Sequence, residues 1–467
     1  MTNRRACLAS ASGLTATLRQ AWAAPRSGAQ GERPNVLFLA ADDMNNALGC
    51  YGHPVVKTPN IDALAARGVR FDRAYCQYPL CGPSRASLLT GLRPDRTRVL
   101  GNNIDFRDHL PGAVTLPQLF KNHGYFTARE GKMFHMNVPG EVGTPRFQDA
   151  VSWNHSVSPQ GLENRTPGER RVTSPGRPNA MNWIAAESET GQADTNAADH
   201  AIALLEQHRR DPFFLGVGLL RPHLPFVAPA KYFDLYPLPS LSPARNPPDD
   251  LDDIPTLAKS VRPYTWNQMG MGEQEIRESL RGYYASTSYM DAQVGRVLQA
   301  LDRLQLRDRT IVVFWGDHGW NLGEHTRWQK MSLMEDSSRV PLIVAAPGRK
   351  GNGQGCRALV EFVDVYPTLA GLCGLPAPPG LDGRSFRALL DSPRRPFKDA
   401  AYTQLLFEDI TGRAVRTDRY RYIRWERQGT VQEELYDHQS DPGEFTNLAS
   451  RGGQELARHR QRIAGRR

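Results

Sequence analysis

The chain predicts an α/β fold: a large mixed, mostly parallel sheet flanked by helices on both faces, with a small C-terminal α+β subdomain. Three observations carry this. Short, nearly continuous apolar runs alternate with segments of helical periodicity. Proline and glycine punctuate those segments where capped helices start and stop. Composition changes near Leu375, where LPAPPGLDG breaks the pattern and shorter alternating segments follow.

The elements follow in chain order. Residues 35–41 (NVLFLAA) form the apolar run of a strand buried on both faces of a parallel sheet. Thr58-Pro59 predicts a helix start, with Thr58 as cap and Pro59 at the first helical position; Gly68 ends it. Residues 115–123 repeat that pattern, closed by Gly124. The polar, Pro/Gly/Arg-rich stretch 154–182 reads as a long surface loop. Residues 213–219 and 310–315 are two more buried strands, and 340–346 another. Residues 273–306 place Ile276, Leu280, Tyr284, Val294, Val297, Leu298 and Leu301 on recurring helical faces. Residues 363–373 predict a last helix of this part. Beyond the break, 414–425 and 434–436 read as antiparallel strands with turns at Asp418 and Gly429. The expected boundaries are a leader and linker over 1–33, a catalytic α/β domain over 34–375 and an α+β subdomain over 376–467.

Composition narrows the function classes. With 467 residues, 40% hydrophobic and 23% charged, the chain has the make-up of a soluble globular protein. No apolar run reaches the ~20 residues of a membrane span. The formal charge of +9 includes Arg4, Arg5 and Arg19 of the leader. This basic excess suits an anionic substrate; no nucleic-acid motif is present and the arginines are dispersed. Arg4-Arg5, the small-residue stretch after them and Ala21-Trp22-Ala23 predict export to the periplasm or exterior, by either a general secretory or a twin-arginine route. No C-x-x-C pair exists among the six cysteines, which removes zinc ribbons and thioredoxin sites. Cys7 leaves with the leader; Cys356 and Cys373 either pair or are two buried free thiols.

Polar residues at the carboxyl ends of parallel strands mark the expected site. The first strand runs into Asp42-Asp43, the second into Arg221-Pro222-His223 and the third into Asp317-His318-Gly319. Adjacent carboxylates repel unless a cation lies between them. Asp42-Asp43 alone would read as a cap on a following helix or turn; with Asp317-His318 at a second strand end the set points to a hard divalent metal. Because these positions lie outside the apolar core, substituting them should cost little stability. Residues 81–91 (CGPSRASLLTG) place Cys81 just before a helix N-terminus, which favours negative charge there. Arg85, four residues on, can face back toward Cys81.

C-x-P-S-R followed by A-S-L-L-T-G is the signature of the formylglycine-dependent sulfatase family, within the alkaline phosphatase superfamily. The chain carries it from Cys81 to Gly91. The family's second signature resembles GYFTAREGKMFH at 124–135, and the Lys132–His135 spacing resembles the iduronate-2-sulfatase branch. RPHLPF at 221–226, YYASTSYMDAQVGRVL at 283–298, GDHGWNLGEH at 316–325, WQK at 328–330 and ELYDHQSDPGEFTNL at 434–448 extend the resemblance over the chain after Arg33.

The resemblance implies that Cys81 is oxidised to formylglycine by a maturation enzyme and that one hydroxyl of its hydrate attacks sulfur. It implies one calcium ion at Asp42, Asp43, Asp317 and His318, touching also the modified Cys81. Lys132 and Lys330 would hold sulfate oxygens, and Arg85 would stabilise the hydrate. His135 would be the base that triggers sulfate release, and His223 the acid on the leaving oxygen. The implied substrate is a sulfated carbohydrate and the implied process glycan degradation. Trp320, Asn321, Arg327 and Trp328 flank the metal motif, and the two tryptophans either line a sugar-binding rim or belong to the core. Two other readings compete: a phosphonate or phosphate-ester hydrolase of the same superfamily, and a silent glycan-binding protein whose Cys81 stays a thiol.

Overall fold

Strand Asn35–Asp42 lies at the centre of an eight-stranded sheet, and its alternate side chains serve two different cores. Val36, Phe38 and Ala40 pack with Leu88, Leu89, Phe120, Tyr366 and Leu369 on one face. Leu37, Leu39 and Ala41 pack with Ile61, Ala197, Ala201, Met290, Val294 and Val297 on the other. Helices on both sides thus require apolar residues at every position, which is why the run is unbroken. The computed structural model describes residues 33–177, 180–261 and 268–465. Apart from Arg33, the leader expected over 1–33, with Cys7, lies outside them.

Four neighbouring parallel strands form the middle of the sheet: Phe126–Gly131, Phe213–Pro222, Asn35–Asp42 and Thr310–Gly316. Their carboxyl ends all reach one side. Leu342–Ala345 runs antiparallel beside Thr310–Gly316, which makes the sheet mixed. Pro341 divides the strand expected over 340–346: Arg339–Val340 pairs in a small second sheet and Leu342–Ala345 in the large one. Helix Glu273–Arg303 is the long helix expected over 273–306, and it spans one face. Helix Leu116–Asn122 starts on a full capping box between Thr115 and Gln118. Thr58 precedes helix Pro59–Ala65 as expected but does not cap it; its hydroxyl donates to Asp62 and accepts the Gly49 N–H.

The stretch 154–182 is not one long loop. His155–Val157 adds an edge strand to the large sheet, and Gly168–Val172 pairs antiparallel with Asn182–Ala186. The mainly exposed Gly168–Val172 strand carries polar side chains, so composition concealed it.

The C-terminal strands Ala401–Phe407, Ile410–Arg416, Tyr420–Arg427 and Thr430–Asp437 form an antiparallel meander. One face, with Leu405, Ile410, Ile423 and Trp425, packs on Tyr78, Leu80, Met331 and Met334 of the main body. The other, with Val415, Tyr422 and Leu435, is covered by helix Gln454–Ala464. Cys356 and Cys373 are buried free thiols. Among the described residues no helix is long and apolar enough to cross a membrane.

Candidate active site and metal centre

All four central strands deliver a polar residue to the same end of the sheet. Asn35–Asp42 ends in Asp42, followed by Asp43 in a left-handed conformation (φ 58°) that bulky residues adopt only under constraint. Thr310–Gly316 leads into Asp317-His318, Phe213–Pro222 into His223, and Phe126–Gly131 into Lys132. The last two strand ends approach closely. A Cβ on Gly131 (φ 79°) would lie 2.1 Å from the Gly218 carbonyl oxygen, and one on Gly218 would lie 2.0 Å from that of Lys132. Only glycines let Lys132 come this near the centre.

Cys81 is the first residue of helix Cys81–Thr90, one position further in than expected, with Leu80 extended before it. Element ends are set by tertiary contacts: Gly82 donates its N–H to Asn102 Oδ1 at 2.9 Å and Ser84 Oγ donates to the Asp317 carbonyl at 2.5 Å. The Cys81 sulfur faces Lys330 Nζ at 3.0 Å, His318 Nε2 at 3.2 Å and Asp43 Oδ1 at 3.6 Å. The position where a nucleophile is expected is therefore buried, beside a fixed cation.

The carboxylates are held in a cationic frame. Asp42 pairs with Lys132 at 2.7 Å and with Arg85 at 3.2 Å. Asp43 Oδ1 accepts from Lys330 at 2.5 Å and lies 3.1 Å from His318 Nε2. Asp317 Oδ2 accepts from Arg85 Nε at 2.9 Å, and Asp317 Oδ1 accepts the N–H groups of Asp43 and His318. Burial opposes charge on Asp42, but Lys132, His223, Arg85 and Lys330 outweigh it and hold the carboxyl well below the usual range. Asp43 is likewise lowered against its burial, by His223, Lys330 and His318. Burial also opposes charge on Lys330, which Asp43 and the Cys81 sulfur nevertheless raise.

This donor set fits a hard divalent cation. Ligand oxygens of Asp42, Asp43 and Asp317 lie within 4.8 Å of one another, as do atoms of Asp43, Cys81 and His318. Asp43 Oδ2 is buried with no hydrogen-bond partner. His318 Nδ1 bonds to the Gly319 carbonyl at 2.8 Å, which turns Nε2 toward the carboxylates, the orientation a ligating histidine needs.

The other expected residues divide. Arg85 makes its hydrogen bonds to Asp42, Asp317 and the carbonyls of Lys132 and Met133 and lies over the Trp315 ring, with the Cys81 sulfur also within electrostatic reach of its charge. The carboxylates are the stronger partners for a buried cation. A ring nitrogen of His223 lies within 4.8 Å of the Cys81 sulfur and an Asp42 oxygen, and its Nε2 is 3.6 Å from Asp43 Oδ2. Burial lowers the His223 pKa, against a raising effect of Asp43. His135 lies within electrostatic reach of Lys132, Asp42 and Lys330 but bonds to Asn137. It is buried, its Nε2 bonds to Asn137 Oδ1 at 3.2 Å, and its Nδ1 has no partner. Burial and Lys132 hold the ring well below its usual pKa, so it is neutral. Trp320 and Trp328 belong to the core.

Sequence reasoning missed several supports. Tyr283 donates its hydroxyl to the Asp43 carbonyl at 2.9 Å and accepts the Asn45 N–H at 3.0 Å, pinning the turn at the first strand end. Its only sequence signal was its place in the 283–298 segment. Gln148 accepts the N–H groups of Met133 and Phe134 beside Lys132; nothing in the sequence marked it.

Comparison with known proteins agrees with this geometry. A family model described as sulfatase matches residues 34–375, and one described as the C-terminal part of N-sulphoglucosamine sulphohydrolase matches 323–462. A sulfatase of Formosa agariphila is 35% identical over 435 residues, covering 90% of this chain and 83% of that protein. Iduronate 2-sulfatase of Homo sapiens is 37% identical over 406 residues, covering 76% of this chain and 72% of that protein. The solved structure of a 2-O GAG sulfatase superposes with a TM-score of 0.72 at 25% identity, covering 93% of this chain and 92% of the other. A family model that takes in every strand end of the site, joined to relatives matched over most of their length, establishes that the chain belongs to the sulfatase family, sulfuric ester hydrolases that work by formylglycine and metal chemistry.

Proposed function

We propose that the chain removes sulfate from a sulfated sugar or polysaccharide, with Cys81 as the formylglycine precursor and calcium at Asp42, Asp43, Asp317 and His318. The likeness to iduronate 2-sulfatase and to a 2-O GAG sulfatase supports a carbohydrate substrate. Export and a formylglycine-generating maturation enzyme belong to the same reading. Oxidised Cys81 supplies, as its hydrate, one hydroxyl to attack sulfur and a second to expel sulfate afterwards. The cation supplies charge neutralisation beside the reacting oxygens.

The chain's own residues do the rest. Lys132, paired with Asp42, and Lys330, paired with Asp43, hold sulfate oxygens by charge and exchange part of that pairing for it. Arg85 holds Asp42 and Asp317 in place. His135, neutral with Nδ1 unpartnered, accepts a proton. His223, its Nδ1–H held by the Leu224 carbonyl, donates to the leaving oxygen from Nε2 in its protonated form, which burial opposes and Asp43 favours.

The observation that carries this reading is the placement of His223. Its Nδ1 bonds to the Leu224 carbonyl at 2.5 Å, and its Nε2 is turned to the cluster of Cys81 and the aspartates. An acid there matters most when the leaving oxygen is a poor leaving group. A sugar hydroxyl needs the proton; a nitrophenol leaves without it. His223→Ala should slow sugar-sulfate hydrolysis about a hundredfold more than aryl-sulfate hydrolysis, the scale of general-acid contributions. Equal losses on the two substrates would take His223 out of the acid role.

A further inference from the structure

The loop that carries His223 is held by a buried ionic clamp whose members have no part in the chemistry above. Arg221 Nη1 donates to the backbone carbonyls of His223 (3.1 Å) and Pro225 (3.0 Å), on either side of the turn. Its Nη2 donates to Glu163 Oε2 at 2.5 Å. Asp194, in the first turn of helix Ala193–Gln207, accepts the N–H groups of Leu220 (2.7 Å) and Arg221 (3.0 Å). Glu163, Asp194 and Arg221 are all buried. Glu163 comes from the 154–182 stretch and sits in a left-handed conformation (φ 44°). Its other oxygen, Oε1, is buried without a hydrogen-bond partner. A strained backbone and an unsatisfied oxygen are not explained by the comfort of Glu163 itself; among the described residues its ion pair is with Arg221.

The geometry links these contacts to the imidazole. The His223 ring takes its direction from its bond to the Leu224 carbonyl, a group of the same turn. The carbonyls before and after Leu224 are the two that Arg221 holds. Ring direction therefore follows the turn, the turn follows the guanidinium, and the guanidinium follows Glu163. We propose that Glu163 is a positioning residue for His223, acting through Arg221 to keep Nε2 aimed at the leaving oxygen. This rests on the reading of His223 as the acid.

The test compares Glu163→Gln and Glu163→Ala with the parent enzyme, on a sugar sulfate and an aryl sulfate, each also in a His223→Ala background. Glu163→Gln keeps the size and weakens the clamp. It should lower kcat on the sugar sulfate about tenfold, within the range that small misplacement of a catalytic group costs. The aryl-sulfate kcat should change less than about twofold and KM on both substrates should hold, since uniform binding is untouched. In the His223→Ala background Glu163→Gln should have no further effect, because the group it aims is gone. Equal losses on both substrates, losses that persist in the His223→Ala background, or no loss in either variant would overturn the proposal. Should Glu163→Ala fail to fold, Glu163→Gln decides alone. If His223→Ala itself slows both substrates equally, the acid reading fails. The clamp is then judged separately: a Glu163→Gln loss that vanishes without His223 upholds positioning, and one that remains refutes it.

Discussion

Asp317 satisfies four groups at once. One oxygen accepts two backbone N–H groups, from Asp43 and His318, the other accepts Arg85 Nε, and its main-chain carbonyl accepts Ser84 Oγ. Reading the sequence alone, a metal ligand outside the apolar core looked cheap to replace. The structure changes that expectation, because Arg85 is fully buried and Asp317 is one of its two carboxylate partners. Breaking a buried ion pair from one side costs about 3–5 kcal/mol, since the remaining charge stays buried. Asp317→Asn should therefore both abolish sulfate-ester hydrolysis and lower unfolding free energy by that order. Urea unfolding of the variant checks it: an inactive protein of unchanged stability would mean that Arg85 does not depend on this carboxylate.

The C-terminal meander is joined to the main body by a buried network as well as by apolar packing. Arg421 donates to Glu444 Oε1 at 2.5 Å and to the Leu333 carbonyl at 2.8 Å, and pairs with Glu335. Tyr75 donates to Glu335 at 2.9 Å, and His438 Nε2 lies 2.7 Å from Glu444. Glu335, His438 and Glu444 are near enough to hold an ion, but the Arg421 guanidinium already bridges the two carboxylates. Burial opposes ionisation of Glu444, yet Arg421 and His438 hold its pKa down to about 2, from an ordinary 4.5. A carboxyl lowered by folding stabilises the protein above its unfolded pKa, and that contribution disappears as pH falls through the folded value. The wild type should lose thermal stability steeply between about pH 4.5 and pH 2, and Glu444→Gln, less stable at neutral pH, should show a flatter profile there. Parallel melting curves for both proteins across that range would reveal a network without this role if the two slopes coincide.

At the scale of the molecule, the sheet does the gathering. Four parallel strands end on one side, so residues far apart in the chain meet without any local motif joining them. A cation bound at that meeting point binds the folded chain and not the unfolded one, which links it to global stability. At a hundred times its dissociation constant it adds about 2.7 kcal/mol. Chelator should thus lower Tm and abolish activity together, and calcium should restore both. A Tm insensitive to chelator and to added calcium would remove the ion from these carboxylates.

Much of this was legible in the sequence, for reasons that differ by element. Asn35–Asp42, Phe213–Pro222 and Thr310–Gly316 are buried on both faces, so their apolar runs are continuous and hard to misread. Helix Leu116–Asn122 carries its own start signal in Thr115 and Gln118. Cys81, the aspartates and Lys132 stand in local patterns whose spacing is itself the message. Gly168–Val172 was illegible because its side chains are mostly exposed, and Ala401–Phe407 because its alternation is softened by half-buried positions. The chain alone determined the fold class, the strand ends that carry polar groups and the placing of Cys81 at the head of a helix beside them. Only the tertiary structure decided that Arg85 pairs with both Asp42 and Asp317, that Tyr283 pins Asp43, and that Glu163 reaches Arg221. Those choices depend on distances between segments remote in sequence, and a buried charge goes to whichever opposite charge the packed strands bring within reach.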